Sequence, residues 1–317
     1  MPQSKFIYTF NYDVHFGELC KLESRQIFNE EQQNKLLFSD FKIDPSISAF
    51  IKTRLEIMTT AGSFTELVTL ITNEDIRMNG FNVEYLILDG NTLERAERRE
   101  KLKDIGYCIY GFPEFNTPTI TYAICQYKDF WYFGTLTKHN NDWYKHKVKP
   151  HSFSNSIGMN IAKTLVSIAS KGDKSKSLLD ACCGVGTILL EACCSGFDIE
   201  GCDINPKAIK YTKLNLAHYN YNPTVYCSDV KEINKNYDAV IVDLPYNLYS
   251  ISEQLISEKI IEATSNITAR LVIVSIADIE STINHSGFEV IDFCTVVKKG
   301  KSTFTRKLWI CEKAITS

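Results

Sequence analysis

At 317 residues the chain exceeds the roughly 250 at which single hydrophobic cores stop growing, which predicts two domains. An apolar fraction of 44% and a charged fraction of 23% are those of globular proteins and exclude a disordered or fibrous chain. A formal net charge of -3 excludes a protein that coats nucleic acid through a uniformly basic surface, so any such contact has to come from local patches.

Residues 1–144 read as an α+β domain. Strands are expected at 6–11, around Phe41, and at 50–58, 81–88, 119–126 and 130–136, the last two joined by the polar turn Tyr127-Lys128-Asp129. Helices are expected at 16–28, 64–71 and 94–105. The opening ten residues alternate polar and apolar side chains, unlike a leader peptide. No apolar run is long enough to span a bilayer, so no membrane is expected as partner. The eleven cysteines, an odd number, lack zinc-type spacing, and the six histidines show none either. The expectation is reduced thiols in a cytoplasmic protein, with no metal.

Residues 145–317 change character. Short Val/Ile/Leu-rich runs at 177–182, 199–204, 224–227, 239–243 and 271–275 alternate with helical segments at 187–194, 206–219, 252–264 and 278–286. This is the pattern of a parallel sheet covered on both faces. Two further strands, 288–297 and 304–312, are joined by Lys298-Lys299-Gly300-Lys301, a connection too short for a crossover helix, so they pair antiparallel. The expected fold is α/β, a Rossmann-like seven-stranded sheet closed by an antiparallel hairpin. S-adenosylmethionine methyltransferases end this way, whereas dinucleotide dehydrogenases continue with parallel units.

Chemistry concentrates where these strands end. The first runs into Asp180-Ala181-Cys182-Cys183-Gly184-Val185-Gly186-Thr187, whose glycines let backbone approach a ligand at a helix amino terminus. The third glycine of the dinucleotide fingerprint is replaced by Leu189, and Asp180 precedes the turn. An acid there suits the cationic amino-acid end of S-adenosylmethionine better than a pyrophosphate. Asp203-Ile204-Asn205 closes the second strand, where a carboxylate accepts from ribose hydroxyls. Asp229-Val230 closes the third, in reach of an adenine amino group. Any one of these acids also serves as an ordinary helix cap, but together they occupy the ligand-binding edge of one sheet.

Asp243-Leu244-Pro245-Tyr246 ends the fourth strand. A base amine is a poor nucleophile because its lone pair is delocalised into the ring. The Asp243 carboxylate and Leu244 carbonyl can accept its N–H hydrogens, Pro245 fixes the turn, and Tyr246 offers a face for a flipped base. An acid–proline turn is common in any fold; its place after three other strand-end motifs gives it catalytic meaning. Tyr246 stands where a cysteine nucleophile for ring-carbon methylation would be expected. Ahead of the sheet, the basic segment 145–154 reads either as a solvated linker or as a cover for the cofactor with Phe153 as lid. The cluster Lys299, Lys301, Phe304 and Arg306 on the terminal hairpin suits phosphate contact with base stacking, or simply a soluble hairpin tip.

With these residues in view the chain resembles the Trm11-like tRNA guanine-N2 methyltransferases, and more closely the short Trm11-like RNA methyltransferases of Firmicutes. The resemblance rests on 180–187, Asp203-Ile204-Asn205, Asp229 and 243–246, and extends more loosely to Lys149-Pro150-His151-Ser152 and to 6–28. It implies a class I methyltransferase domain behind an RNA-binding region related to THUMP, with S-adenosylmethionine as cofactor and RNA, tRNA in particular, as partner. Asn247 stands where most of the group has glycine, and the amino-terminal region is short for the full arrangement. The alternatives are an adenine-N6 methyltransferase of DNA or RNA, and a non-catalytic RNA-binding protein that has kept the fold.

Overall fold

The computed structural model describes residues 4–153, 156–245, 251–298 and 304–314, with the side chains of 251–254, 298 and 304 left aside. The chain forms two units, and the division is not one cut at 144/145. The first unit takes the chain up to Asn11, Gln32–Ser46 and Phe50–His139; the second takes Tyr12–Glu31, Ile47–Ala49 and the chain from Asn140 on.

In chain order the elements are β1 (Phe6–Phe10), α1 (Gly17–Phe28), β2 (Leu36–Ser39), β3 (Ile51–Ala61), α2 (Phe64–Asn73), β4 (Phe81–Tyr85), α3 (Arg95–Tyr107), β5 (Ile120–Tyr127) and β6 (Phe130–Lys138). Setting α1 apart, these build the first unit, a six-stranded sheet in the order β2-β1-β3-β6-β5-β4. Its pairs are antiparallel except β4 with β5. Leu67 and Ile71 of α2 and Ile105 of α3 bury against Phe81, Ile124, Trp131 and Phe133, the apolar face that makes these helices form in context. The strand expected around Phe41 lies earlier, and Phe41 stands 48% exposed beyond it.

The second unit continues with α4 (Met159–Ser170), β7 (Ser177–Asp180), α5 (Thr187–Ser195), β8 (Asp198–Asp203), α6 (Pro206–His218), β9 (Val225–Cys227) and β10 (Ala239–Asp243). It ends with α7 (Ile251–Ser265), β11 (Arg270–Ser275), α8 (Glu280–His285), β12 (Phe288–Lys298) and β13 (Phe304–Lys313). The sheet order is β12-β13-β11-β10-β7-β8-β9. Neighbours from β9 through β11 are parallel, and β13 runs antiparallel to both its partners. Val240, Ile241 and Val242 are wholly buried, as an unbroken apolar run must be when helices cover both faces of a parallel sheet. On the edge strand β12, by contrast, buried Cys294 and Val296 alternate with exposed Phe293, Thr295 and Val297, the period-2 pattern of a half-covered strand.

Helix α1 is part of this second unit. It buries Leu19, Cys20, Leu22, Ile27 and Phe28, and its Arg25 forms a fork with Asp292 of β12, Nε to Oδ2 at 2.9 Å and Nη2 to Oδ1 at 2.9 Å. Glu23, also on α1, accepts from Ser48 Oγ at 2.5 Å and from the Ser167 hydroxyl of α4. Burial pushes its carboxyl up to about 7. These bonds tie 12–31 and 47–49 to the later sequence, which is why the unit boundary crosses the chain more than once.

Candidate active site

Strand order reverses beside β7: β8 and β9 lie on one side, β10 and β11 on the other. Ligands of open α/β sheets bind at such a point, outside the carboxyl ends of the strands. Asp180, Asp203 and Asp243 are the last residues of β7, β8 and β10.

A cleft of about 280 Å³ opens at this edge. Of the residues expected to hold a cofactor, Phe153, Cys182, Gly184, Thr187, Asp203 and Asn205 line it; Asp243, Leu244 and Pro245 line the same cleft. The Asp203 carboxylate organises its floor, accepting from the Gly184 N–H (2.9 Å) through Oδ2 and from the Asn205 N–H (2.8 Å) through Oδ1. Asn205 in turn caps α6, accepting from the Lys207 N–H at 3.0 Å, with Pro206 in the first turn. Gly186 is outside the wall but starts α5 at φ 79°, where a Cβ would stand 2.8 Å from Thr212 Cγ2. Only glycine makes that turn without strain.

Asp180 is fully buried and is not part of the wall. Neither of its oxygens makes a hydrogen bond of normal geometry among the described residues. Burial first, then the charges of Asp243 and Asp203, hold its carboxyl well above the usual range, with the Cys182 backbone N–H acting the other way. Burying an acid beside two other carboxylates with no hydrogen bond of normal geometry makes its charged form costly, a cost that a ligand bringing positive charge to this edge would offset. Burial and the same carboxylates also push the thiols of Cys182 and Cys183 up, so neither is a thiolate nucleophile at neutral pH.

Other expectations fall elsewhere. Asp229 caps the turn after β9, accepting from the Lys231 N–H at 3.1 Å, and neither it nor Val230, which is in the core, lines the cleft. Ile204 is 71% exposed and does not line the cleft. Arg306 corrects the reading of the hairpin: it is 1% exposed, so its guanidinium cannot reach a phosphate on the surface. Tyr246, Lys299 and Lys301 lie outside the described residues, as does the Phe304 side chain. Sequence reading missed Ser156, Ile157, Cys183, Val185, Ile188 and Ala208 in the wall. It also missed Thr212 and Asn215, polar positions three apart on the otherwise apolar inner face of α6.

The strand order, with β13 reversed and acids at three strand ends, is that of a class I S-adenosylmethionine-dependent methyltransferase. Residues 147–272 match the RMKL-like methyltransferase domain. A tRNA (guanine(10)-N2)-dimethyltransferase of Methanothermobacter thermautotrophicus is 30% identical over 161 residues, 46% of this chain and 47% of that protein. A protein of Methanothermococcus thermolithotrophicus named "Probable tRNA (guanine(10)-N2)-dimethyltransferase" is 31% identical over 109 residues, 31% of this chain and 67% of that one. The chain belongs to the Trm11-like tRNA guanine-N2 methyltransferase family. It spans about half the length of the first of these relatives. Among solved structures, TrmN from Thermus thermophilus superposes with a TM-score of 0.49 at 11% identity, over 98% of this chain and 99% of that one.

Proposed function

We propose that this protein methylates RNA, transferring the methyl group to N2 of a guanosine in tRNA in the cytoplasm. The observation that carries the reading is that Asp243, Leu244 and Pro245 share one cleft with Asp203 and the glycine turn. S-adenosylmethionine, when bound, supplies an electrophilic methyl on a sulfonium. Asp203 and Asn205 would hold its ribose, the glycine turn and Phe153 its methionine end. The Asp243 carboxylate accepts an N–H of the exocyclic amine, and the Leu244 carbonyl accepts the other. Pro245 has no N–H of its own, so it adds no competing donor beside these acceptors. The names of the relatives supply guanine and tRNA; the alternative amine is adenine N6, which the same acceptors would serve.

Replacing Asp203 with alanine is expected to weaken S-adenosylmethionine binding by about 1–3 kcal/mol, the ribose bonds being lost along with the anchor of the Gly184 N–H. Calorimetry that returns an unchanged dissociation constant removes the assignment.

The first unit offers an RNA-contacting surface of its own. Arg95, Arg99 and Lys103 are exposed at successive i, i+4 positions of α3, about 6 Å apart along its axis. The line continues to Tyr107, 87% exposed, and the chain then presents Tyr110, Phe112 and Phe115, 60%, 80% and 73% exposed. The Arg77 guanidinium lies 5.6 Å from the Tyr110 ring centre. The Tyr110 carbonyl accepts from the Met78 N–H at 2.9 Å and that of Phe112 from the Gly80 N–H at 2.8 Å, so the aromatic side chains project from fixed backbone. Cations on phosphates and rings on unstacked bases are the means by which proteins hold RNA.

The test is transfer of labelled methyl to total tRNA from a strain lacking the gene, followed by nucleoside mass spectrometry. Label in N2-methylguanosine is the expected result. Label in N6-methyladenosine would replace guanine by adenine, and cofactor binding without label would favour a binding protein. In the same assay, the double change Tyr110→Ala with Phe112→Ala is expected to raise KM for tRNA at least about tenfold and leave kcat within a few-fold. An unchanged KM would discard the surface.

A further inference from the structure

The inner face of α6 does more than cover the sheet. Ala208 of this helix lines the cleft, and Tyr211, Thr212 and Asn215 follow along the same stripe at helical spacing. The Thr212 hydroxyl donates to the Gly184 carbonyl at 2.7 Å. Asn215, wholly buried, donates from Nδ2 to the Val185 carbonyl at 2.9 Å. Because a trans peptide fixes N–H opposite C=O, these two bonds set the planes of both peptides in the glycine turn.

The same carboxamide brackets a second stretch of chain. Asn215 Oδ1 accepts from the His151 N–H at 2.9 Å, and Nδ2 also donates to the His151 carbonyl at 2.9 Å. Asn215 thus satisfies both backbone groups of one residue, as a neighbouring strand would. The His151 ring lies flat on Tyr211, with ring centres 4.4 Å apart and planes 3° from parallel, and the Phe153 ring is 5.9 Å from the Tyr211 ring. Phe153, Ser156 and Ile157 are wall residues of the cleft. One buried side chain therefore joins the glycine turn to the segment carrying Phe153, two parts of the wall more than 25 residues apart in sequence.

We propose that Asn215 is a positioning residue that holds the glycine turn and the chain at His151–Phe153 in the spacing that S-adenosylmethionine requires at its methionine end. The proposal rests on the methyltransferase reading of the cleft. Asparagine is the residue type that does this at the observed length, because the bracket needs two donors and one acceptor on one short planar group. Aspartate keeps the shape and the bond from the His151 N–H but sets an acceptor against the carbonyls of Val185 and His151. Tyr211 acts on His151 and Phe153 alone and Thr212 on the turn alone.

The test is the affinity of the full chain for S-adenosylmethionine and for adenosine, measured by calorimetry, with KM and kcat for methyl transfer. N215D is expected to weaken S-adenosylmethionine binding at least about thirtyfold, an acceptor being set against two backbone carbonyls that had a donor, and to leave adenosine binding within threefold. Its KM for the cofactor rises while kcat at saturation stays within threefold. Should N215D not fold, Tyr211→Leu and Thr212→Val, which leave the buried amide in place, are expected to show the same selective loss at about three- to tenfold each. A folded N215D, or both milder variants, with wild-type S-adenosylmethionine affinity would overturn the proposal. So would equal losses for S-adenosylmethionine and adenosine, or a lowered melting temperature as the sole effect. A wild-type chain that binds no S-adenosylmethionine would overturn the methyltransferase reading and this proposal with it.

Discussion

Replacing Asp243 with alanine is expected to lower the rate of methyl transfer about a thousandfold while S-adenosylmethionine binds within a few-fold of wild type. Asp243 ends β10 in the wall of the cleft, and the proposed role of its carboxylate is to accept a hydrogen bond from the amine N–H as nitrogen becomes tetrahedral. That interaction strengthens toward the transition state, so its loss falls on kcat and leaves ground-state binding almost untouched. Asp243→Asn keeps one acceptor oxygen and should retain a measurable fraction of the rate. Single-turnover kinetics at saturating cofactor, beside calorimetry, separate the two quantities. Loss of binding as large as the loss of turnover would mean that Asp243 serves the cofactor instead.

The second large effect concerns the amino-terminal sequence. A chain shortened to begin at residue 145, the boundary the sequence suggests, is expected to lose cooperative folding. It would lack α1, whose Leu19 and Leu22 are wholly buried and whose Ile27 and Phe28 are nearly so. At about 1.5–3 kcal/mol for each such side chain, the loss is comparable to the roughly 5–15 kcal/mol by which domains are stable. Asp292 would also lose both Arg25 and Gln26, which bond it in the full chain. Near-ultraviolet circular dichroism and a thermal melt decide the matter. A sharp transition at the temperature of the full chain would show that α1 is dispensable.

Local chemistry made most of the catalytic unit legible in advance. The run 239–242 reads as a strand buried on both faces, Asn205-Pro206 as the start of a helix, and Gly184 and Gly186 as a turn, because each depends only on neighbours in sequence. Membership of α1 in the second unit was not legible, since it depends on Arg25 meeting a residue 267 positions away. Arg306 was misread from its basic neighbours. It sits on β13, which lies between β12 and β11 and is buried on both faces over Leu308, Trp309, Ile310 and Cys311, a burial set by sheet order rather than by neighbours in sequence. The missing third glycine has a structural answer that lies on another element. A Cβ on Gly201 of β8 would stand 2.7 Å from Leu189 Cδ1, so the room for close packing is provided by the strand, and the helix keeps its leucine.

The fork between Arg25 and Asp292 also bears on how the protein is made. At translation speeds of roughly 5–20 residues per second, the 267 positions separating its two ends take on the order of 15–50 s to synthesise. During that interval α4, whose Ser167 bonds Glu23 of α1, is made well before the strand that carries Asp292. The packing of α1 is therefore completed only once Asp292 has been made, so the second unit cannot finish folding before then.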